Sequence, residues 1–280
     1  MKRVNNITVE ELLVFGKKHI HSDHAKILLA ELLQKNPLEL LNYLEEVIPN
    51  DQVELYKKEV IALEEGKPLQ YVLGHVNFFG NTFYIDERVL IPRFETEELV
   101  ENTIHYIQKY FSHPVRIIDL GTGSGAIGIT LSKKISTEVV DLIDISQDAL
   151  EVCQKNCEDL GVKANVIQSD FFENVNGQYD VIISNPPYIK EEEEIEEIVK
   201  ENEPSLALYG GKDGLNCYRK ILNTITDHMK DKCLVAFEIG YEQKEELLQE
   251  IKKVLPNDLV EVKKDLSGKD RMLFIFHNLE

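Results

Sequence analysis

From Val115 onward the sequence alternates between apolar runs of strand length and longer stretches of helical period, and this alternation restricts the fold more than any other feature. Val115–Asp119, Glu138–Asp144, Ala164–Gln168, Asp180–Ser184 and Cys233–Ile239 read as strands. Ala126–Lys134, Gln147–Leu160 and a stretch ending near Val254 read as helices. Parallel strands need a long crossover, normally a helix, so repeated strand–helix units imply a mostly parallel sheet with helices on both faces. Leu259–Lys264 and Arg271–His277 follow with no helix between them and read as a strand pair that ends the fold antiparallel. Sheets of this kind bind ligands at the carboxyl ends of their strands, so chemistry is expected in the loops after each strand.

The preceding residues have a different character. Residues 1–74 read as helices only. Thr8 and Glu11 form a capping box for a helix through Lys18, and Ser22 is placed to cap the next. Pro37 suits the first turn of a third helix. A fourth opens at Asn50 or Asp51, carries Val53, Leu55, Val60, Ile61 and Leu63, and ends at Gly66 and Pro68. Residues 75–91 change to strand period, with His75–Phe79 and Thr82–Ile85 flanking a Gly80–Asn81 turn, and are read as a β-hairpin joint. Residues 92–280 hold the alternating segment, so the 280 residues divide into two domains and a joint.

Hydrophobic residues make up 43% of the chain, enough for buried cores. The longest apolar runs, Cys233–Phe237 and Met272–Phe276, are five residues, against roughly 20 for a membrane span, so no membrane association is expected. No apolar stretch follows Met1–Asn6, so no signal peptide is expected. The net charge is −19, which repels phosphate backbones at long range and disfavours a nucleic-acid partner. Cys153, Cys157, Cys217 and Cys233 contain no CxxC and read as reduced, packed thiols of a cytoplasmic protein; no metal is expected. Glu191–Glu194 with Glu196 and Glu197 reads as a solvated charge block.

After the first strand of the alternating segment comes Asp119-Leu120-Gly121-Thr122-Gly123-Ser124-Gly125, running into a helix. Glycines there allow a tight turn and close approach of a ligand to free helix N–H groups. Gly123, Gly125 and Gly128 also satisfy the dinucleotide pattern, so the loop alone admits S-adenosylmethionine (SAM) or NAD. Asp144, ending the second strand, is placed to accept hydrogen bonds from ribose hydroxyls, with Asp141 as a rival that is better read as paired inside the strand. Asp170 and Phe171 follow the third strand, either as an adenine site or as a helix cap and a core aromatic.

Asn185-Pro186-Pro187-Tyr188 after the fourth strand decides between these. The prolines stiffen the segment, which then offers the Asn185 side-chain carbonyl and the Pro186 backbone carbonyl as paired acceptors for an –NH2 group. An amide or aniline-like nitrogen is a poor nucleophile because its lone pair is delocalised. Two fixed acceptors hold it, favour pyramidalisation and bind the growing positive charge of the transition state. Tyr188 is placed to pack on a flat substrate group. Arg93, Glu95 and Glu97 read as an ion-paired helix start in preference to a cofactor lid.

With these motifs in order, the chain resembles the peptide chain release factor glutamine N5-methyltransferases. The resemblance extends over Pro68–Gly74, Leu90–Glu97, Glu203-Pro204 with Ala207-Leu208, Gly210–Leu215, Glu238–Gly240 and Asp265–Arg271. It implies an N-terminal helical bundle that docks the release factor, a β-hairpin linker and a class I, Rossmann-like SAM-dependent methyltransferase domain. Gly121–Gly125, Asp144, Asp170, Phe171 and Asn185 would meet SAM, and Asn185, Pro186, Pro187 and Tyr188 the glutamine of a Gly-Gly-Gln loop in class I release factors. Two positions depart from the family's pattern: Phe94 and Gln147 stand where prolines are expected. The principal alternative is an exocyclic-amine methyltransferase acting on adenine N6 or guanine N2, since the same Asn-Pro-Pro-Tyr logic serves a base amine. A silent docking module leaves the intact motifs unexplained, and an NAD dehydrogenase leaves Asn185–Tyr188 unexplained.

Overall fold

A computed structural model describes residues 7–279; the expectation about a leader at Met1–Asn6 lies outside the described residues. The chain divides into two compact units, Met1–Gly74 and His75–Glu280.

In the first unit, α1 (Val9–His19) opens on the capping box: Thr8 Oγ1 accepts the Glu11 amide at 3.3 Å and Glu11 Oε2 accepts the Thr8 amide at 3.0 Å. In α2 (Ser22–Leu32) the cap residue is His21, whose Nδ1 accepts the Asp23 amide, so Ser22 is the first helical residue and not the cap. Pro37–Asn42 is a 3-10 helix started by Asn36. α3 (Asn50–Glu64) is followed by α4 (Leu69–Leu73), which is too short to show a period in sequence and ends on Gly74 at φ 74°. Leu12, Leu28, Leu29, Val53, Tyr56 and Val60 form this unit's core. Tyr56 donates to the Ala25 carbonyl at 3.0 Å, and its hydroxyl fills the space where a Cβ on Gly16 would sit.

The second unit begins with the hairpin of β1 (His75–Phe78) and β2 (Asn81–Tyr84). Its turn is Phe79–Gly80, one residue earlier than the Gly80–Asn81 turn expected. Both turn residues have positive φ, 49° and 76°, which suits a tight hairpin's twist. Glu97 accepts the Phe79 amide at 2.9 Å and pins that register. Phe78 and Phe83, fully buried and edge to face, join the core that also holds Leu99 and Ile129, so the hairpin is packed on this unit.

The remaining elements are α5 (Phe94–Tyr110), β3 (Val115–Leu120), α6 (Ala126–Lys134), β4 (Thr137–Asp144), α7 (Gln147–Asp159), β5 (Asn165–Gln168) and β6 (Tyr179–Ser184). They are followed by α8 (Glu197–Asn202), α9 (Ser205–Leu208), α10 (Asn216–His228), β7 (Met229–Glu238), α11 (Lys244–Val254), β8 (Leu259–Lys264) and β9 (Asp270–His277). The seven-stranded sheet has the order β5-β4-β3-β6-β7-β9-β8, with β3 to β7 parallel and β9 antiparallel to both neighbours. Successive strand residues serve opposite faces. Ile117, Val181 and Ile183 enter one core with α5 and α6, while Ile118 and Ile182 enter the other with α10 and α11. Both faces are covered, which is why the strands are continuous apolar runs and do not alternate with polar residues. In α10, Tyr218, Ile221, Leu222 and Ile225 repeat at helical spacing and are all buried. From β3 the chain runs outward through β4 and β5, then returns to β6 on the other side of β3. The crevice of this architecture therefore opens at the carboxyl ends of β3 and β6.

Candidate active site

The loop after β3 is built on Asp119. This buried carboxylate accepts the Thr122 hydroxyl at 2.6 Å and the Gly128 amide at 3.0 Å, both on Oδ2, so it ties the loop to the first turn of α6. Its Oδ1 is buried without a hydrogen-bond partner. Burial, with the nearby Asp144 charge adding to it, pushes the Asp119 carboxyl up to about 6. Gly121 and Gly123 line the pocket, and a Cβ on either would meet nothing within 4 Å. Gly128 is close packed instead, since a Cβ there would come 2.3 Å from Leu142 on β4. Thr122 and Ser124 are buried and, with Gly125, support the loop from behind without lining the pocket.

Asp144, at the end of β4, lies across from this loop. Its Oδ2 accepts the Gly123 amide and its Oδ1 the Ser146 amide, each at 2.9 Å, and burial raises its pKa while these N–H groups oppose the rise. Asp141 does not reach the pocket; it is held inside the strand by Tyr179 Oη and Asn165 Nδ2, both at 2.6 Å. Asn156 on α7 is a residue that periodicity does not reveal. Fully buried, it accepts the Tyr84 amide at 2.7 Å and donates to the carbonyls of Tyr84 and Ser124, both at 2.9 Å. One side chain thus joins the hairpin to the glycine loop.

Asp170 and Phe171 form the third wall after β5. Asp170 Oδ2 receives Lys220 Nζ at 2.5 Å, so one carboxylate oxygen is already engaged. Phe171 stands at φ 51°, a left-handed backbone that is costly for a residue with a Cβ and is found preferentially at functional walls and clamps.

The fourth wall is Asn185 and Pro187 after β6. Asn185 Nδ2 donates to Thr96 Oγ1 at 3.3 Å, and the Thr96 hydroxyl donates to Glu238 Oε2 at 2.6 Å. Tyr188 turns its hydroxyl inward to Glu238 Oε1 at 3.2 Å, and Pro186 is buried; neither lines the pocket. Burial raises the pKa of both Tyr188 and Glu238. Thr96 lies in the Leu90–Glu97 segment that the resemblance covers, but period and turn chemistry assign it no role. Glu238 does give a sequence signal: like Asp119 and Asp144, it is an acid near the carboxyl end of an apolar strand.

Arg88–Leu90 and Pro204, Leu206 and Ala207 complete the pocket. The two segments are linked by Glu203, which accepts the Ile91 amide at 3.2 Å and Arg93 Nη2 at 2.5 Å. Arg93 and Glu97 thus both serve structure, one on Glu203 and the other on the hairpin turn. Both cations that line the pocket are held by carboxylates, Lys220 by Asp170 and Arg88 by Asp86 and Glu151. A pyrophosphate would find neither of them free, whereas the Asp144 carboxylate on the pocket wall suits a ligand that brings hydroxyl donors or positive charge. Among the described residues no group of three or more His, Cys, Asp or Glu side chains converges as a metal site, and no helix is long and apolar enough to cross a membrane.

The family described as "Methyltransferase small domain" matches residues 98–210, and that described as "PrmC N-terminal domain" matches residues 18–74. A methyltransferase structure from Pyrococcus furiosus superposes with a TM-score of 0.53 at 19% identity, covering 83% of this chain and 100% of that one, which shows the shared fold. The release factor glutamine methyltransferase of Bacillus cereus is 38% identical over 255 residues, 89% of this chain and 90% of that protein. The enzyme of the same name from Bacillus subtilis is 41% identical over 241 residues, 84% of each. With a methyltransferase fold, an Asn-Pro-Pro-Tyr segment at its ligand crevice and relatives at this identity over nearly their whole length, the chain belongs to the release factor glutamine methyltransferase family.

Proposed function

We propose that this chain transfers a methyl group from SAM directly to the side-chain amide nitrogen (N5) of the glutamine in the Gly-Gly-Gln loop of class I release factors, releasing S-adenosylhomocysteine, in the cytoplasm. One observation carries the chemical reading. The Asn185 side chain spends its N–H on Thr96, and among the described residues no donor takes its Oδ1. A free, fixed carbonyl beside the pocket is what an –NH2 substrate requires.

SAM, when bound, supplies an electrophilic methyl on a sulfonium. Gly121 and Gly123 provide the open backbone surface against which it would lie, with Asp144 toward its ribose and Phe171 and Asp170 toward its adenine. Asn185 Oδ1 and the backbone carbonyl of Pro186, whose ring is buried behind the pocket wall, would accept the two hydrogens of the glutamine amide and hold its lone pair toward the methyl group. Positive charge grows on the nitrogen as it attacks, so these two dipoles bind the transition state more tightly than the substrate. The amide proton becomes acidic only after the new N–C bond forms, so no strong base is required before attack.

The helical unit is the docking element in this reading. Its 3-10 helix exposes Leu38 and Leu41 at 88% and 70%, apolar side chains that a protein partner would cover. The deciding experiment is transfer of labelled methyl from SAM to purified, unmethylated class I release factor, with DNA and ribosomal RNA as parallel acceptors. Label confined to the Gly-Gly-Gln glutamine is expected; label on nucleic acid alone would move the reaction to a base amine.

A further inference from the structure

Glu238 is a carboxylate sealed beneath the substrate segment, at 2% exposure, and the reaction as derived above makes no use of it. Both of its oxygens are engaged by hydroxyls, Oε2 by Thr96 and Oε1 by Tyr188, and its backbone carbonyl accepts Tyr218 Oη at 2.7 Å. The Arg271 guanidinium faces it, itself held by Asp265 at 3.2 Å, and Glu95 lies near enough to oppose its ionisation.

We infer that Glu238 and Thr96 are a positioning pair that sets which way the Asn185 amide points. A threonine hydroxyl has a single proton. With Glu238 ionised, that proton goes to the carboxylate, and Thr96 can then only accept from its other neighbour. Asn185 must therefore present its NH2 to Thr96, and its carbonyl is left for the substrate. With Glu238 protonated, the carboxyl can donate to Thr96, and Thr96 is free to donate to Asn185. The amide then turns over and offers N–H groups to an –NH2 substrate, donor against donor. The carboxylate thus acts on the substrate nitrogen at two removes and touches neither substrate nor cofactor. Tyr188 engages the second oxygen of the same carboxylate, so the two ends of the Asn-Pro-Pro-Tyr segment share one anchor.

The inference rests on the proposed function only for the identity of the amide. Its test uses the full chain. Thr96→Val keeps the shape and removes the relay. Turnover at saturating SAM and release factor is expected to fall at least about tenfold, with both KM values within about twofold, and Thr96→Ser is expected to restore most of it. Wild-type kcat is expected to fall as acid protonates Glu238, and this acid limb is expected to be absent in Glu238→Gln. Asp119 and Asp144 also titrate on the acid side; saturating SAM offsets their effect on cofactor binding, and any effect they keep on kcat is common to wild type and Glu238→Gln, so the difference between the two profiles reads Glu238. Wild-type turnover in Thr96→Val, no restoration by Thr96→Ser, or an unchanged acid limb in Glu238→Gln would each overturn the inference.

A second measurement needs no methyl transfer. In asparagine-15N-labelled full chain, the Asn185 side-chain NH2 is expected to exchange slowly with solvent and to exchange faster in Thr96→Val. Equal rates overturn the positioning role even if the enzyme is active. If the wild type labels no glutamine, the proposed function falls while this comparison still decides the inference.

Discussion

Burying Asp119 carries an electrostatic cost. Its carboxyl rises from 3.8 to about 6 on burial, and at about 1.4 kcal/mol per pKa step this is worth up to about 3 kcal/mol. An acid whose pKa is raised by folding binds its proton more tightly in the folded state. Its contribution to stability is therefore full below about pH 4 and is lost as the pH rises through about 6. Asp119→Asn keeps an oxygen for Thr122 and Gly128 and removes the charge. It is expected to be more stable than wild type by about 1–3 kcal/mol at pH 7.5, with the advantage gone near pH 4. Denaturant titrations at the two pH values test this, and the same difference at both would sink it. Two further substitutions separate binding from chemistry. Asn185→Ala removes an acceptor that strengthens in the transition state, so turnover should fall by about 2.7–4 kcal/mol in barrier while calorimetric SAM affinity holds. Asp144→Ala should do the reverse, weakening SAM binding with a smaller effect on saturated turnover. Unchanged SAM affinity would remove Asp144 from the cofactor site.

At the scale of elements, the glycine loop owes its shape to a neighbour distant in sequence. Asn156 engages three backbone groups across the hairpin and the loop, and its removal leaves them buried without partners. Asn156→Ala is therefore expected to cost at least about 2 kcal/mol of stability and to weaken SAM binding although it touches no ligand. A variant with wild-type SAM affinity would show that the loop holds its own shape. The same contrast explains what the sequence discloses. The strands of the parallel sheet were readable because both faces are covered and the runs are apolar throughout, and the acids and glycines at their ends mark where a ligand meets backbone. α10 has Tyr218, Ile221, Leu222 and Ile225 at helical spacing, but no side-chain cap marks its start in the sequence. The hairpin turn slipped by one residue because Glu97, not a local preference, fixes Phe79 in a left-handed conformation. Period and turn chemistry give Thr96 and Asn156 no role for the same reason: their partners, Glu238 and Tyr84, are 142 and 72 residues away. Period and turn chemistry report local physics, and the supports of the site are tertiary.

For the whole molecule, the question is why the unit that holds the pocket carries a second one. Every residue that lines the pocket lies in His75–Glu280, while Met1–Gly74 has a core of its own around Tyr56. If the helical unit docks the release factor, its contribution is to make an encounter with one loop glutamine effectively intramolecular, and that advantage vanishes for a substrate too small to reach it. Residues 75–280 alone are thus expected to bind SAM with nearly unchanged affinity. They should methylate a short Gly-Gly-Gln peptide as slowly as the full chain does, and lose about 100-fold or more in kcat/KM on the intact release factor. The comparison isolates docking from folding because cofactor affinity and peptide turnover are controls on the same protein. Equal kcat/KM on intact release factor would remove docking from the helical unit. A parallel loss on peptide and protein would mean that the unit supports the catalytic fold. The chain's net charge of −19 adds a salt criterion. A partner recognised through apolar side chains such as Leu38 and Leu41 should lose little affinity between low and moderate salt, whereas recognition of a phosphate backbone would weaken steeply.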